Sequence, residues 1–164
     1  YLDDAFPDVL LRPANPFECA RGRQTINIIQ LYVEAQVRQL FAGVFMGGTN
    51  LPSTVTSVRP MLDRATAALS HLLAPRPFFL GDRPGQVDLF AYYNLDIADR
   101  VTRFVYDRSI IVEIGGLADW TSAMQVRAST RLVTADFEAS FLTYLAAHGA
   151  TYHPDISRRP FSHA

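Results

Sequence analysis

Hydrophobic positions along this chain recur three and four residues apart, the spacing of a helix with one buried face, and clean strand-type alternation is scarce. From about Pro16 to Phe41 the stripe Ile26, Ile29, Val33, Val37 and Leu40 predicts one long helix. Asn15-Pro16 supplies a capping side chain followed by proline at the first helical position. Gly43, then Gly47-Gly48, are read as its end and the following loop. A second helix is predicted from about Thr54 to Ala74, with Val55, Val58, Leu62, Leu69 and Leu72 on one side and Pro75-Arg76-Pro77 as its stop. Pro60 either sits in the first turn behind a cap at Ser57 or kinks a longer helix.

A third helix is expected from about Gln86 to Tyr106, carrying Val87, Phe90, Leu95, Ile97, Val101 and Phe104. Its apolar residues lie on more than one side, which places it near the centre of a bundle. A shorter fourth helix follows Gly115-Gly116 with Leu117, Trp120 and Met124 inward. A fifth runs from about Thr134 to Ala147 with Phe137, Phe141 and Leu145, stopped by Gly149, and Tyr152 to Ala164 reads as an irregular tail. The β-branched run Ser109-Ile110-Ile111-Val112 has no partner strand and is taken as the end of helix three or a buried connector. The fold class is all-α, a bundle of five or more helices.

Composition narrows the function classes. The 164 residues suit one domain with its own core, 49% hydrophobic and 19% charged, and a formal net charge of −1 gives no global reason to expect nucleic acid or an acidic membrane as partner. Cys19 is the sole cysteine, so neither an internal disulfide nor a cysteine-based zinc site can form within the chain. No apolar run approaches a membrane span, and the opening Tyr1-Leu2-Asp3-Asp4 has none of the features of a signal peptide. A cytoplasmic location is the expectation. The first residue is not methionine, which suggests processing or a fragment.

The most specific segment is Phe79-Leu80-Gly81-Asp82-Arg83-Pro84-Gly85-Gln86-Val87-Asp88. Asp88 falls at the third helical position after Gly85, where its carboxylate can accept from free backbone amides and oppose the positive end of the helix dipole. This segment resembles the signature of the C-terminal domains of cytosolic glutathione transferases. Their usual cap is Ser or Thr; Gly85 leaves half of a capping box missing, a loss of roughly a few tenths of a kcal/mol. The flanks extend the resemblance. Tyr1 to Pro7 is similar to the close of a thioredoxin-like domain. Arg12-Pro13 with Phe17-Glu18-Cys19-Ala20-Arg21 is similar to the family's linker and first bundle helix. Trp120 to Thr130 is similar to its Trp-x-x-x-Met helix and Arg-Pro-Ser exit, with Ala128 in place of the proline. The opening segments look closest to bacterial, maleylacetoacetate isomerase-like members.

The resemblance implies a division into residues 1-13 (end of a thioredoxin-like domain and linker), 14-148 (helical C-terminal domain) and 149-164 (tail), cut off from the domain that would precede it. It implies glutathione as co-substrate, held mainly by that other domain, which also carries the Ser, Tyr or Cys that stabilises the thiolate. No catalytic residue and no cofactor are therefore expected here. The helical domain would supply most of the pocket for a small hydrophobic electrophile, for conjugation or isomerisation, and part of a homodimer interface. Substrate-binding nominations by position are Arg23, Asn27, Gln30 and Tyr32, with Gly85 and Asp88 as the structural cap. Some classes carry an acidic residue late in the first helix that reaches glutathione across the dimer; Arg38 occupies that register. The alternative is a non-catalytic protein-interaction module of the same fold.

Other residues read as structural. Cys19 lies at the start of a helix with no histidine near in sequence, and His71, His148, His153 and His163 lack metal-ligand spacing. Arg158-Arg159 reads as a solvated tail. Asp96 and Asp99, one turn apart, have Arg100 and Arg103 beside them, so ion pairing is the simpler reading.

Overall fold

In the computed structural model, which describes residues 2–8, 11–75 and 77–155, the hydrophobic stripes become buried helix faces. A turn of helix, α1 (Leu2–Ala5), leads through the linker to α2 (Pro16–Ile28), a π-helical segment (Ile29–Glu34) and α3 (Ala35–Arg38), which run on without a break as one long rod. Then come α4 (Phe41–Phe45), α5 (Pro52–Leu72), α6 (Gln86–Tyr106), α7 (Ile110–Glu113), α8 (Leu117–Gln125) and α9 (Ala128–Ala147). The rod, α5, α6, α8 and α9 are the five principal helices expected, and the described residues include no strand.

The rod starts as predicted. Asn15 Oδ1 accepts from the Phe17 amide at 2.8 Å, with Pro16 at the first helical position. Gly43 does not end it. Gly43 lies inside α4, because Asn50 folds back onto that helix: its Nδ2 donates to the Leu40 carbonyl at 2.9 Å and its Oδ1 accepts from the Gly43 amide at 3.1 Å. A Cβ on Gly43 would stand 2.6 Å from the Asn50 side chain, so the close approach requires glycine there.

Helix α5 begins at Pro52, two residues before the expected start, and Pro60 is inside it rather than in its first turn. The Arg21 guanidinium donates to the Leu72 carbonyl at 3.0 Å, satisfying an end of α5 that lacks further helix. Helix α6 has the predicted bounds and packs against α2, the π-helical segment, α3, α4 and α7. Ser109-Ile110-Ile111-Val112 is neither strand nor the end of α6. Ser109 caps α7 by accepting from the Val112 amide at 3.2 Å. Helix α9 starts six residues before the expected Thr134, with Ala128 at the first helical position where the resembling motif has proline. It ends at Gly149 as expected, in paired bonds from Gly149 N to Ala146 O and Ala150 N to Leu145 O.

The core gathers Ile29, Val33, Val37, Leu62, Leu69, Leu95, Val101, Trp120 and Met124, each buried. Part of the expected tail belongs to it: the Tyr152 ring is buried against Phe45, Phe104 and Phe141. Arg158-Arg159 and His163 lie outside the described residues.

Candidate functional site

The turn before α6 is built around one carboxylate. Asp88 is fully buried and accepts three hydrogen bonds, from the Gly85 amide (2.9 Å), the Phe79 amide (3.0 Å) and the Trp120 indole N–H (2.8 Å). The first bond is the half of a capping box that glycine at the cap allows; the other half needs a side chain that Gly85 lacks. Phe79 also stacks on Trp120 at 4.6 Å, so the turn, α6 and α8 meet at Asp88. Gly81 closes the turn with φ +136°, a backbone conformation side-chain-bearing residues rarely adopt.

The linker explains the glycine at position 85. The Leu11 carbonyl accepts from the Gln86 amide at 2.7 Å, and a Cβ on Gly85 would lie 2.7 Å from that same oxygen. Main chain crossing the helix start thus takes up the first free amide of α6, that of Gln86, in place of a capping side chain. The linker is further held by the Asp3 carboxylate, which accepts from the Leu11 amide at 2.9 Å and pairs with Arg12 at 3.2 Å.

Arg23, Asn27 and Gln30 follow one another at helical spacing on an exposed face of the rod, and among the described residues none of the three side chains has a hydrogen-bond partner. Tyr32 is half exposed and falls off that stripe, in the π-helical segment. The π segment keeps Ile29 and Val33 buried against α5 and α6 while changing the aim of residues after Gln30. Arg38 is ion-paired with Glu34, one turn earlier on the rod. Cys19 donates its thiol to the Pro13 carbonyl at 2.8 Å, tying linker to helix.

Two recesses open beside the start of the rod. The larger, about 360 Å³, lies between Phe17, Arg21 and Thr25 of α2, the end of α5 and the Phe79–Gly81 turn. The smaller, about 40 Å³, takes Arg23 and Cys19 into its wall. Neither includes Asn27, Gln30 or Tyr32.

A second polar cluster, along α6, takes the form of ion pairs. Arg100 bonds Asp96 at 2.8 Å and reaches Glu138 of α9. Arg103 bonds Asp99 at 2.6 Å, and Asp99 also accepts from the Ser109 hydroxyl at 2.6 Å, so this pair positions the cap of α7. Burial lowers the affinity of Arg100 for its proton, but Asp96 and Glu138 together outweigh it and hold the guanidinium charged. Burial pushes the Tyr92 phenol up, and raises the Asp96 carboxyl despite the opposing Arg100 charge. Sequence spacing signalled the pairs within α6; Glu138, Ser109 and the Trp120–Asp88 bond come from distant segments and carried no local signal.

Among the described residues no group of three or more His, Cys, Asp or Glu side chains is arranged to hold a metal ion. No described helix is long and apolar enough to cross a membrane.

Comparison with known proteins agrees with this geometry. The family model described as "Glutathione S-transferase, C-terminal domain" matches residues 34–123, which include α5, α6, α7 and most of α8. A curated "Glutathione S-transferase" of Pseudomonas putida is 25% identical over 145 residues, covering 88% of this chain and 66% of that protein. The chain thus spans just under two thirds of that relative's length. With the Phe-Leu-Gly turn, the buried Asp88 and the indole of Trp120 joined in one motif, the chain belongs to the glutathione S-transferase family through its C-terminal helical domain.

Proposed function

We propose that this chain is the electrophile-binding and dimer-forming half of a glutathione transferase, which adds glutathione to a small hydrophobic electrophile or uses it in an isomerisation. Residues 1-13 would be the end of a thioredoxin-like domain and linker, residues 14-148 the helical domain and 149-164 a tail. The observation that carries the reading is the unpartnered polar stripe Arg23, Asn27 and Gln30 on the rod, in a chain of this family. Exposed polar groups without protein partners are available to orient a ligand bound against the rod. Tyr32, off the stripe, would contact substrate only if the pocket wraps around the rod.

The chemistry would reside elsewhere. The thiolate is the nucleophile in glutathione transfer, and lowering the thiol's pKa is the step a protein must perform. Cys19 is held on the Pro13 carbonyl, and Asp96 and Asp99 of α6 are ion-paired with Arg100 and Arg103, so none of them is placed to activate a thiol. The chain alone is therefore expected to leave glutathione conjugation to a chloronitrobenzene at its uncatalysed rate; turnover above it would contradict the proposal.

A second reading, a non-catalytic protein-interaction module, is favoured by α9. Leu132 and Leu142 there are more than half exposed and Val133 nearly half, and Val126 just before it is more exposed still. A thiolate-stabilising Ser, Tyr or Cys in an upstream domain would decide for the enzyme. Light scattering on the purified chain tests the dimer.

A further inference from the structure

The cleft along α6 is not used by the proposed function. Between α6 and α9 a recess of about 250 Å³ is walled by Tyr92, Tyr93, Ile97, Thr134 and Phe137, with Asp96 at its edge. On the other side of Tyr92 and Asp96 a recess of about 270 Å³ opens towards α7 and α8, where Thr121 and Gln125 stand. Tyr92 and Asp96 line both recesses, so an apolar and a more polar recess lie side by side along α6 and share a wall. α9 is joined to α6 by the Arg100–Glu138 pair.

The charges in the cleft select a sign. In the lining Asp96 and Asp99 face Arg100 and Arg103, and Glu138, outside the lining, reaches Arg100 from α9 and takes up part of its charge. Arg100 is enclosed, 9% exposed, whereas the Asp96 side chain keeps 44% of its surface open. A ligand entering the cleft meets an accessible carboxylate, not an accessible guanidinium. Thr121 Oγ1 is buried on the polar side without a hydrogen-bond partner, a spare acceptor for a donor head group. The rings of Tyr92 and Tyr93 line the recess, and aromatic rings attract a cation.

We infer that the Tyr92–Asp96 cleft binds a small amphipathic amine, its aromatic body between Tyr93 and Phe137 and its ammonium on Asp96. Burial raises the Asp96 carboxyl despite its bond to Arg100, and an ammonium beside it would add a second positive partner for the ionised form. The site shares no residue with the Arg23–Gln30 stripe and involves no glutathione, so it stands or falls independently of the proposed function.

Trp120 is the sole tryptophan and its ring lies 6.2 Å from that of Tyr92, so its fluorescence reports on the cleft. The test titrates the full chain with 2-phenylethylamine, 2-phenylethanol and 3-phenylpropionate, followed by Trp120 fluorescence and calorimetry. The amine should saturate and bind about tenfold tighter than the alcohol, and the carboxylate weakest of the three. Asp96→Asn should bring the amine down to the alcohol's affinity and leave the alcohol unchanged. Phe137→Ala should weaken amine and alcohol alike. Should Asp96→Asn fail to fold, Thr134→Trp, followed by calorimetry alone because it adds a second tryptophan, fills the apolar recess without touching an ion pair and should abolish binding of all three probes. Equal affinity for carboxylate and amine, an amine preference that survives Asp96→Asn, binding that survives Thr134→Trp, or no saturation by about 10 mM amine would each overturn the inference.

Discussion

Asp88 shows how much a single residue can join. Its carboxylate receives a donor from the cap of α6, one from the turn before it and one from α8, with no exposed surface. Removing it leaves one buried donor, the indole, and two part-buried amides without their acceptor, the buried one costing about 1–3 kcal/mol and the others adding to it. Asp88→Ala is therefore expected to lower unfolding free energy by about 3 kcal/mol or more, measured by urea denaturation; a loss below about 1 kcal/mol would contradict the account. Trp120→Phe keeps an aromatic ring and deletes one donor, so it should cost about 1–2 kcal/mol, and less in an Asp88→Ala background. The aspartate and its cap position were legible from Gly81 to Asp88. The indole bond was not, because 32 residues separate its partners. The candidate substrate residues show the same limit. Helical spacing placed Arg23, Asn27 and Gln30 together, but the π-helical segment that carries Tyr32 off their line leaves no mark in the apolar pattern.

Elements were legible where one stripe faced one core. Helix α6 has its predicted bounds because Gly85 starts it and apolar residues continue to Tyr106. Helix α9 was read six residues short because Leu132 and Val133 in its first two turns point outward, 66% and 46% exposed, and add nothing to the buried stripe. Gly43 misled because its role is a close contact with Asn50, not a helix stop. The start of α6 gives a sharper case. Serine at a cap ordinarily improves on glycine by roughly a few tenths of a kcal/mol. Here its Cβ would press on the Leu11 carbonyl at 2.7 Å, an atom fixed by its bond to Gln86. Gly85→Ser is expected to destabilise by about 1 kcal/mol in thermal or urea unfolding. A gain in stability would show that the linker does not press on the helix start.

At the scale of the molecule, the rod, α5, α8 and α9 stand with α6 in a scaffold that uses Asp88 to hold the turn, Asp99 to hold α7, Arg21 to hold α5 and Arg100 to hold α9. The unpartnered polar stripe on the rod is where a substrate role is proposed. The central claim is that this domain selects the electrophile while another domain activates the thiol. Fusing the chain behind a thioredoxin-like glutathione-binding domain and measuring conjugation kinetics tests it most directly. The fused protein should turn over where the chain alone does not, and replacing Arg23, Asn27 and Gln30 by alanine should raise KM for the electrophile by about tenfold with KM for glutathione unchanged. Turnover by the chain alone, or a triple variant whose KM for the electrophile does not move, would contradict it.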